Sequence, residues 1–391
     1  MSPFDLASRV HAIEPFRVME VVKAATALRQ EGVDVISMSV GEPDFTAAPR
    51  VAAAAIAAIE AGASQYTDAT GLATLRAAIA EHYQRTCGLR IDPRRIVVTA
   101  GASAGLLLAC AALVSEGDEV LMPDPCYPCN RHFVSAFNGK PVLVEAHAQE
   151  RYQLTAAHIA EHWTARSRGE IVASPSNPTG TSMTPQQLAD MLAAVRARGG
   201  FAVVDELYQG LSYDGTPTSA LQVDPDVITV NSFSKYFNMT GWRLGWLVVP
   251  EQLVPTIEKL AQNLFICPST IAQHAALACF HPESLNLYEA RRREFQRRRD
   301  YLVPALRELG FTIPVMPDGA FYVYADISAL KHAHAHDSSA FCMAVLQEAG
   351  VAIVPGDDFG FAAPQRHVRF SYATSLARIE EAVARLRALL A

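Results

Sequence analysis

Between residues 96 and 249 the chain alternates short apolar runs with helix-like stretches, and this alternation constrains its fold more than any other feature. The runs are Ile96-Val97-Val98-Thr99, Val120-Leu121-Met122, Val142-Leu143-Val144, Ile171-Val172-Ala173, Ala202-Val203-Val204, Val227 to Val230 and Leu244 to Val249. Continuous apolar runs rich in Val and Ile suit strands covered on both faces. The intervening stretches carry helix punctuation. Residues 103–115 are apolar and end before Gly117, and Thr184-Pro185 starts a helix to about Arg198 with proline at its first position, where no hydrogen bond is lost. Strand and helix in alternation give an α/β fold whose sheet is mostly parallel and doubly covered.

The flanks differ. Residues 15–31 read as an amphipathic helix ended by Gly32, Val35 to Val40 as a strand broken at Gly41-Glu42-Pro43-Asp44-Phe45, and 50–61 and 72–86 as alanine-rich helices. After residue 284 come a charged helix (287–309), strands at 313–316, 320–325, 351–354 and 367–372, a helix at 338–349 and a last helix from 375. This reads as a smaller α+β domain. The expected division is a large domain over 46–284 and a small domain built from 1–45 and 285–391. Arg291-Arg292-Arg293 and Arg297-Arg298-Arg299 are interspersed with Glu289, Glu294 and Asp300, which reads as a solvated helix face.

With 391 residues, half of them hydrophobic, a sizeable core is available, and a net charge of −7 without a charged tail argues against bulk nucleic-acid binding. No uninterrupted apolar run of about 18 residues appears, so no membrane span is read. The first residues lack a signal pattern. Both point to the cytoplasm. Seven cysteines without a repeating spacing fit reduced thiols. Cys126-Tyr127-Pro128-Cys129 has no second C-x-x-C, and His332-Ala333-His334-Ala335-His336-Asp337 reads as a solvent loop. No metal is expected.

Ligands of open parallel sheets bind beyond the carboxyl ends of the strands, and the polar singletons of this chain fall there. Asn177 lies just past one strand, Asp205 ends another, and Lys235 lies past a third. Gly101-Ala102-Ser103 joins a strand to a helix, where free N–H groups can hold an anion. Ser232-Phe233-Ser234-Lys235 and Gly241-Trp242-Arg243 bring two hydroxyls and a guanidinium near a lysine. Hydroxyls and a guanidinium suit a phosphate. A lysine beside a bound phosphate suits an imine with an aldehyde-bearing cofactor.

These residues carry a resemblance. Gly41-x-Pro43-Asp44-Phe45, Ser174-x-x-Asn177-Pro178-x-Gly180, Asp205-Glu206-x-Tyr208, Ser232-x-Ser234-Lys235, Gly241-x-Arg243 and Arg369-x-Ser371 occur in the order found in class I/II, aspartate aminotransferase-like enzymes. From about residue 10 to its end the chain resembles that branch of the fold-type I pyridoxal-phosphate-dependent enzymes. The resemblance implies pyridoxal 5'-phosphate as cofactor, with Lys235 forming its imine and shuttling a proton. It implies that Asp205 pairs with the ring nitrogen. A carboxylate at about 4 Å and an effective dielectric near 20 contributes roughly 4 kcal/mol, about three pKa units. It further implies that Asn177 and Tyr208 bond the ring's phenolic oxygen and that Tyr127 stacks on the ring. The phosphate falls to the turn at Gly101, the N–H groups of Ala102 and Ser103, and Ser232, Ser234 and Arg243. Tyr66 reaches the phosphate of a second subunit, which implies a homodimer with shared active sites. Arg369 clamps the substrate carboxylate, with Asn177 and the backbone of Gly41 facing it.

The activity so implied is an aminotransferase moving an amino group from an L-amino acid to a 2-oxo acid. Alternatives on the same fold are a carbon–sulfur lyase and a non-enzymatic ligand-sensing domain. The latter would carry a DNA-binding segment, for which the forty residues before Gly41 leave no room. The expected donors are neutral or aromatic. Ser103 stands where some relatives place a lysine, and Pro15-Phe16 and Tyr322 offer apolar walls. Arg17 is the nearby cation that would reverse this if it turned inward. 2-Oxoglutarate stays open as acceptor.

Overall fold

Seven strands form the central sheet: β1 (Ile96–Thr99), β2 (Glu119–Asp124), β3 (Lys140–Glu145), β4 (Ser167–Ala173), β5 (Phe201–Asp205), β6 (Ile228–Ser232) and β7 (Gly245–Val248), in the order β1-β7-β6-β5-β4-β2-β3. The structure is a computed structural model that describes residues 4–215 and 218–391. All pairings within β2 to β6 are parallel, and β7 runs antiparallel to both neighbours. The strands cross the core as the apolar runs require. Ile96, Val98, Leu121, Val172, Val204 and Trp246 pack into one apolar cluster, whereas Val97, Val120, Ile171, Val203, Val230 and Leu247 pack into another. Successive side chains of a strand point to opposite faces, so alternate residues feed two separate cores and both faces are covered.

A three-stranded antiparallel sheet lies outside this one, with β8 (Tyr322–Asp326), β9 (Val354–Pro355) and β10 (His367–Ser371) in the order β9-β10-β8. Six helices frame the cavity or tie the layers around it: α1 (Val18–Gln30), α2 (Ala102–Leu113), α3 (Pro128–Ala136), α4 (Pro282–Glu308), α5 (Ser338–Ala349) and α6 (Leu376–Leu390). Thr184 caps the helix Pro185–Arg196 by accepting from the Gln187 N–H, while Gln187 returns a bond to the Thr184 N–H. α5 ends at Gly350, which takes the left-handed conformation at φ +63°.

Three expectations shift. The strand read over Val35 to Val40 shrinks to Ile36–Ser37, paired in parallel with Val351–Ala352. The run 351–354 splits, because Val351–Ala352 pairs there while Val354–Pro355 joins β10. No strand forms at 313–316. Thr312 makes only an isolated bridge to Asp326, and Pro314 and Pro317 cannot donate to a ladder. The arginine runs of α4 form a solvated face only in part: Arg293 and Arg297 are exposed, but the last two arginines turn inward. Arg298 and Arg299 are 3% exposed. Arg298 forks onto Asp44 at 2.8 and 2.9 Å, and Arg299 bonds Asp214 at 2.5 Å and the Pro317 carbonyl at 2.8 Å. Arg298 also keeps the local i,i+4 bond to Glu294 at 3.1 Å and Arg299 the bond to Asp300 at 2.9 Å, but both reach further partners far along the chain.

Glu170 tests the sheet. It lies within β4 on the Val172 face, fully buried, and neither carboxylate oxygen has a partner among the described residues. Burial pushes its pKa well above the usual range, so the folded chain holds a proton that the unfolded chain releases. That contribution is present at low pH and is lost as pH rises, by about 1.4 kcal/mol per pH unit between the unfolded and folded pKa values. Glu170→Gln is therefore expected to melt above the native protein at pH 8, with the difference vanishing near pH 4. Parallel pH profiles of the two melting temperatures would count against this.

Candidate active site

A cavity of about 340 Å³ opens beyond the carboxyl ends of β4, β5 and β6 and at the N-terminus of α2. This is where free backbone donors and strand-end side chains converge in parallel sheets. Ala173, Asp205 and Ser232 are the last residues of the three strands and all line it. α1 and the loop that follows Pro355 close it from the side of the second sheet.

Asp205 projects on the Val203 face, toward α2. It is 3% exposed and accepts one bond, from the Leu207 N–H at 3.0 Å. Burial pushes its pKa up to about 7, opposed by that N–H and by the charge of Lys235. Lys235 donates to the Gly41 carbonyl at 2.6 Å and lies 5.9 Å from the ring centres of Tyr208 and Phe321. Burial pulls its pKa down to about 8, against the nearby Glu42. The site thus holds an acid and an amine both moved toward neutrality by the loss of water.

The end of the cavity at α2 is built largely from backbone. Gly101 precedes α2 with no side-chain cap on its first N–H groups, and its φ of +84° is one that glycine adopts without strain. A Cβ there would lie 2.6 Å from Nη2 of Arg243. Arg243 itself is in the left-handed region at φ +51° and donates to the Thr240 carbonyl at 2.8 Å. A non-glycine residue pays strain for that conformation, and the result is a guanidinium aimed at the α2 terminus. Ser234 lines the same end. Ser232 does so with its hydroxyl already committed, donating to the Leu244 carbonyl at 3.2 Å and accepting from the Ser234 N–H at 3.0 Å.

The opposite end centres on Arg369, 5% exposed. It donates to Oδ1 of Asn177 at 2.8 Å and to the Ser39 carbonyl at 2.6 Å, while its Nε has no partner among the described residues. Its guanidinium lies 4.4 Å from the Tyr322 ring and 4.8 Å from that of Phe359. The hydroxyls of Tyr208 and Tyr322 are 2.7 Å apart. Tyr127 lines the cavity from the residue before α3, with the Phe16 ring 6.2 Å away.

Of the residues singled out in the sequence, Gly41, Ala102, Ser103, Tyr127, Asn177, Asp205, Tyr208, Ser232, Ser234, Lys235, Arg243 and Arg369 all line this one cavity. Gly101 stands behind it against Arg243. Tyr66 is 81% exposed and outside it. Arg17 does not turn inward; its side chain is half exposed, 3.8 Å from Asp357. Cys126 and Cys129 are free thiols, Cys126 pushed up to about 12 by burial. The sequence reading missed Asp358 and Phe359. Asp358 accepts the N–H groups of Arg17 at 3.0 Å and Val18 at 3.3 Å, so it caps α1 from the far end of the chain. Gly356-Asp357-Asp358-Phe359-Gly360 reads locally as a turn, and no local signal links it to α1.

With this geometry in place, comparison with known proteins agrees on the class, while the relatives' names differ in substrate. The family described as aminotransferase class I and II matches residues 33–386. A valine–pyruvate aminotransferase of Mycobacterium tuberculosis is 41% identical over 96% of both chains. The crystal structure of an aminotransferase from the same organism superposes with a TM-score of 0.94 at 40% identity, covering 99% of each chain. Aspartate aminotransferase from Thermus thermophilus with maleate gives 0.92 at 34% identity, covering 99% of this chain and all of that one. The chain belongs to the class I and II aminotransferases. It is a pyridoxal-phosphate-dependent aminotransferase, an enzyme that passes an amino group between amino acids and 2-oxo acids.

The residues fit that cofactor. Asp205 is a buried carboxyl raised to about 7, and a cationic ring nitrogen would return it to its charged form. The uncapped N–H groups at Ala102 and the Arg243 guanidinium supply anion donors, and the missing Cβ at Gly101 leaves the room they need. When bound, pyridoxal phosphate supplies an electron sink for the bond that breaks at the substrate carbon. Gly101→Ala places a methyl against Arg243 at an unfavourable φ. We expect cofactor affinity to fall by about tenfold or more, with an unchanged far-UV spectrum. Titration of apoenzyme with pyridoxal phosphate checks this, and a native dissociation constant would contradict it.

Proposed function

We propose that the enzyme takes L-amino acids with neutral or aromatic side chains as donors. One observation carries this reading. Among the described residues, the cavity is lined by only three cations, Lys235, Arg243 and Arg369, and each has a task in holding cofactor or the substrate carboxylate. The side facing α1 offers Phe16, Val18, Met19 and Val22, with Val40 and Phe359 nearby. A distal carboxylate there would lose its water without gaining a counter-charge, a cost of several kcal/mol. The buried carboxyl of Asp358 would add repulsion. The valine–pyruvate aminotransferase name of the M. tuberculosis relative supports the same direction.

Within this reading Lys235 holds the cofactor and moves the proton at the substrate Cα. Burial holds its amine below the usual lysine range, which favours the neutral form that can act as a base. Asp205 faces the ring nitrogen, Asn177 and Tyr208 face the ring oxygen, and Tyr127 covers the ring. The N–H groups of Ala102 and Ser103 with Ser234 and Arg243 hold the phosphate, Gly101 making room. Ser232 serves mainly by fixing the strand end. Arg369 takes the substrate carboxylate, beside Asn177 and the Gly41 backbone. The large part is 46–284, and 1–45 with 285–391 forms the small part that clamps substrate. The enzyme works in the cytoplasm as a homodimer. Tyr66, an aromatic left 81% exposed, supports a contribution to the second subunit's phosphate site.

Three measurements test this. With one fixed acceptor, kcat/KM for alanine, valine, methionine and phenylalanine should each exceed that for aspartate by about tenfold or more; aspartate winning would reveal a cation supplied from elsewhere. Asp205→Asn should lower kcat severely with the fold intact, whereas Arg243→Ala should chiefly weaken cofactor retention, by roughly 2–5 kcal/mol. An identical loss of cofactor affinity alone in both variants would refute the division of roles. Light scattering should give a dimer, and a fully active monomer would remove the role of Tyr66.

A further inference from the structure

Tyr322 touches three parts of the site at once. Its hydroxyl is 2.7 Å from that of Tyr208. Its ring lies 4.4 Å from the Arg369 guanidinium. Its hydroxyl also stands over Gly41, where a Cβ would come within 2.2 Å of it. It is 1% exposed, at the start of β8 and directly opposite Ser371 of β10, the strand that carries Arg369.

A phenylalanine would fill the same volume, and a buried hydroxyl is costly unless bonded. The hydroxyl of Tyr322 therefore needs a polar reason, and Tyr208 is its hydrogen-bond partner. Burial raises both phenols above their usual range, so each keeps its proton. Two phenols that share one hydrogen bond have one donor and one acceptor between them. If Tyr208 directs its proton at the ring oxygen of the cofactor, Tyr322 is the donor. A phenol that accepts a bond becomes a stronger donor in turn. On the other side the guanidinium of Arg369 is held between two aromatic faces, which fixes its plane while Asn177 and the Ser39 carbonyl take two of its N–H groups.

We propose that Tyr322 is a positioning residue with two separable tasks. Its hydroxyl strengthens the bond from Tyr208 to the cofactor ring oxygen, and its ring holds Arg369 in the plane that meets the substrate carboxylate. This rests on the proposed roles of Tyr208 at the ring oxygen and Arg369 at the carboxylate. It adds a link between the cofactor and the carboxylate clamp, so that one side chain of the second sheet senses both.

The test separates hydroxyl from ring. The visible absorption band of the holoenzyme is titrated with pH, and hydrocinnamate, a carboxylate with no amino group, is titrated at fixed pH. With weaker donation the negative ring oxygen is less stabilised once the proton it shares with the nitrogen of Lys235 leaves. In Tyr322→Phe the midpoint should rise by about half a pH unit, roughly threefold, with hydrocinnamate affinity within about twofold of native. In Tyr322→Leu the midpoint should rise likewise, and hydrocinnamate should bind about five- to tenfold more weakly. Tyr208→Phe is the control. A midpoint that moves in Tyr208→Phe but not in Tyr322→Phe overturns the hydroxyl task alone. A midpoint unmoved in both overturns the assignment of Tyr208 and the inference with it. Native hydrocinnamate affinity in Tyr322→Leu overturns the ring task. Tyr322→Met replaces that variant if its melting curve shows it unfolded.

Discussion

Taking charge out of water at the strand ends is the constraint on which this structure turns. Asp205, Lys235, Arg369 and Asp358 sit in or against one cavity with few partners, and desolvation moves the first two toward neutrality. An isolated ion in such a place would cost several kcal/mol. The protein tolerates the arrangement because each group has at least one well-placed contact: Leu207 N–H for Asp205, the Gly41 carbonyl for Lys235, Asn177 and Ser39 for Arg369, and the Arg17 and Val18 N–H groups for Asp358. What the protein leaves unmet, a cofactor and substrate of opposite charge can meet.

The second constraint is that the walls come from distant segments. Asp358 holds the start of α1, so the apolar wall of Phe16, Val18 and Met19 depends on a carboxylate 340 residues away. Arg298, on α4, grips Asp44 in the loop that also presents Gly41. The parallel pair of Ile36–Ser37 with Val351–Ala352 anchors that same loop to the C-terminal part. The wall facing α1 is therefore built by contacts that join both ends of the chain, whereas the opposite side of the cavity is built within the central sheet.

Much was legible in the chain itself. Strand existence was readable because fully buried parallel strands leave continuous Val and Ile runs, and the cofactor side was readable because strand-end residues sit at short, regular offsets from those runs. Lys235, Asp205, Asn177 and Arg243 are local consequences of strand, turn and helix succession. What misled were signals that tertiary pairing overrides. The arginines of α4 looked solvated because helix spacing offered nearby acids, yet Arg298 and Arg299 are buried against Asp44 and Asp214. Residues 313–316 looked like a strand, and Pro314 within them and Pro317 just after left only one bridge nearby.

The sequence by itself determined the α/β succession and the place of the lysine, the acid and the glycine turn before α2, because these depend on periodicity and on neighbours a few residues apart. Tertiary structure alone decided which way Arg17 faces, that Asp358 caps α1, and that Tyr322 joins Tyr208 to Arg369. Those contacts span 114 to 341 residues of chain, or join side chains on neighbouring strands. Such contacts leave no local trace, since they come into being only when the sheet and its flanking layers pack together.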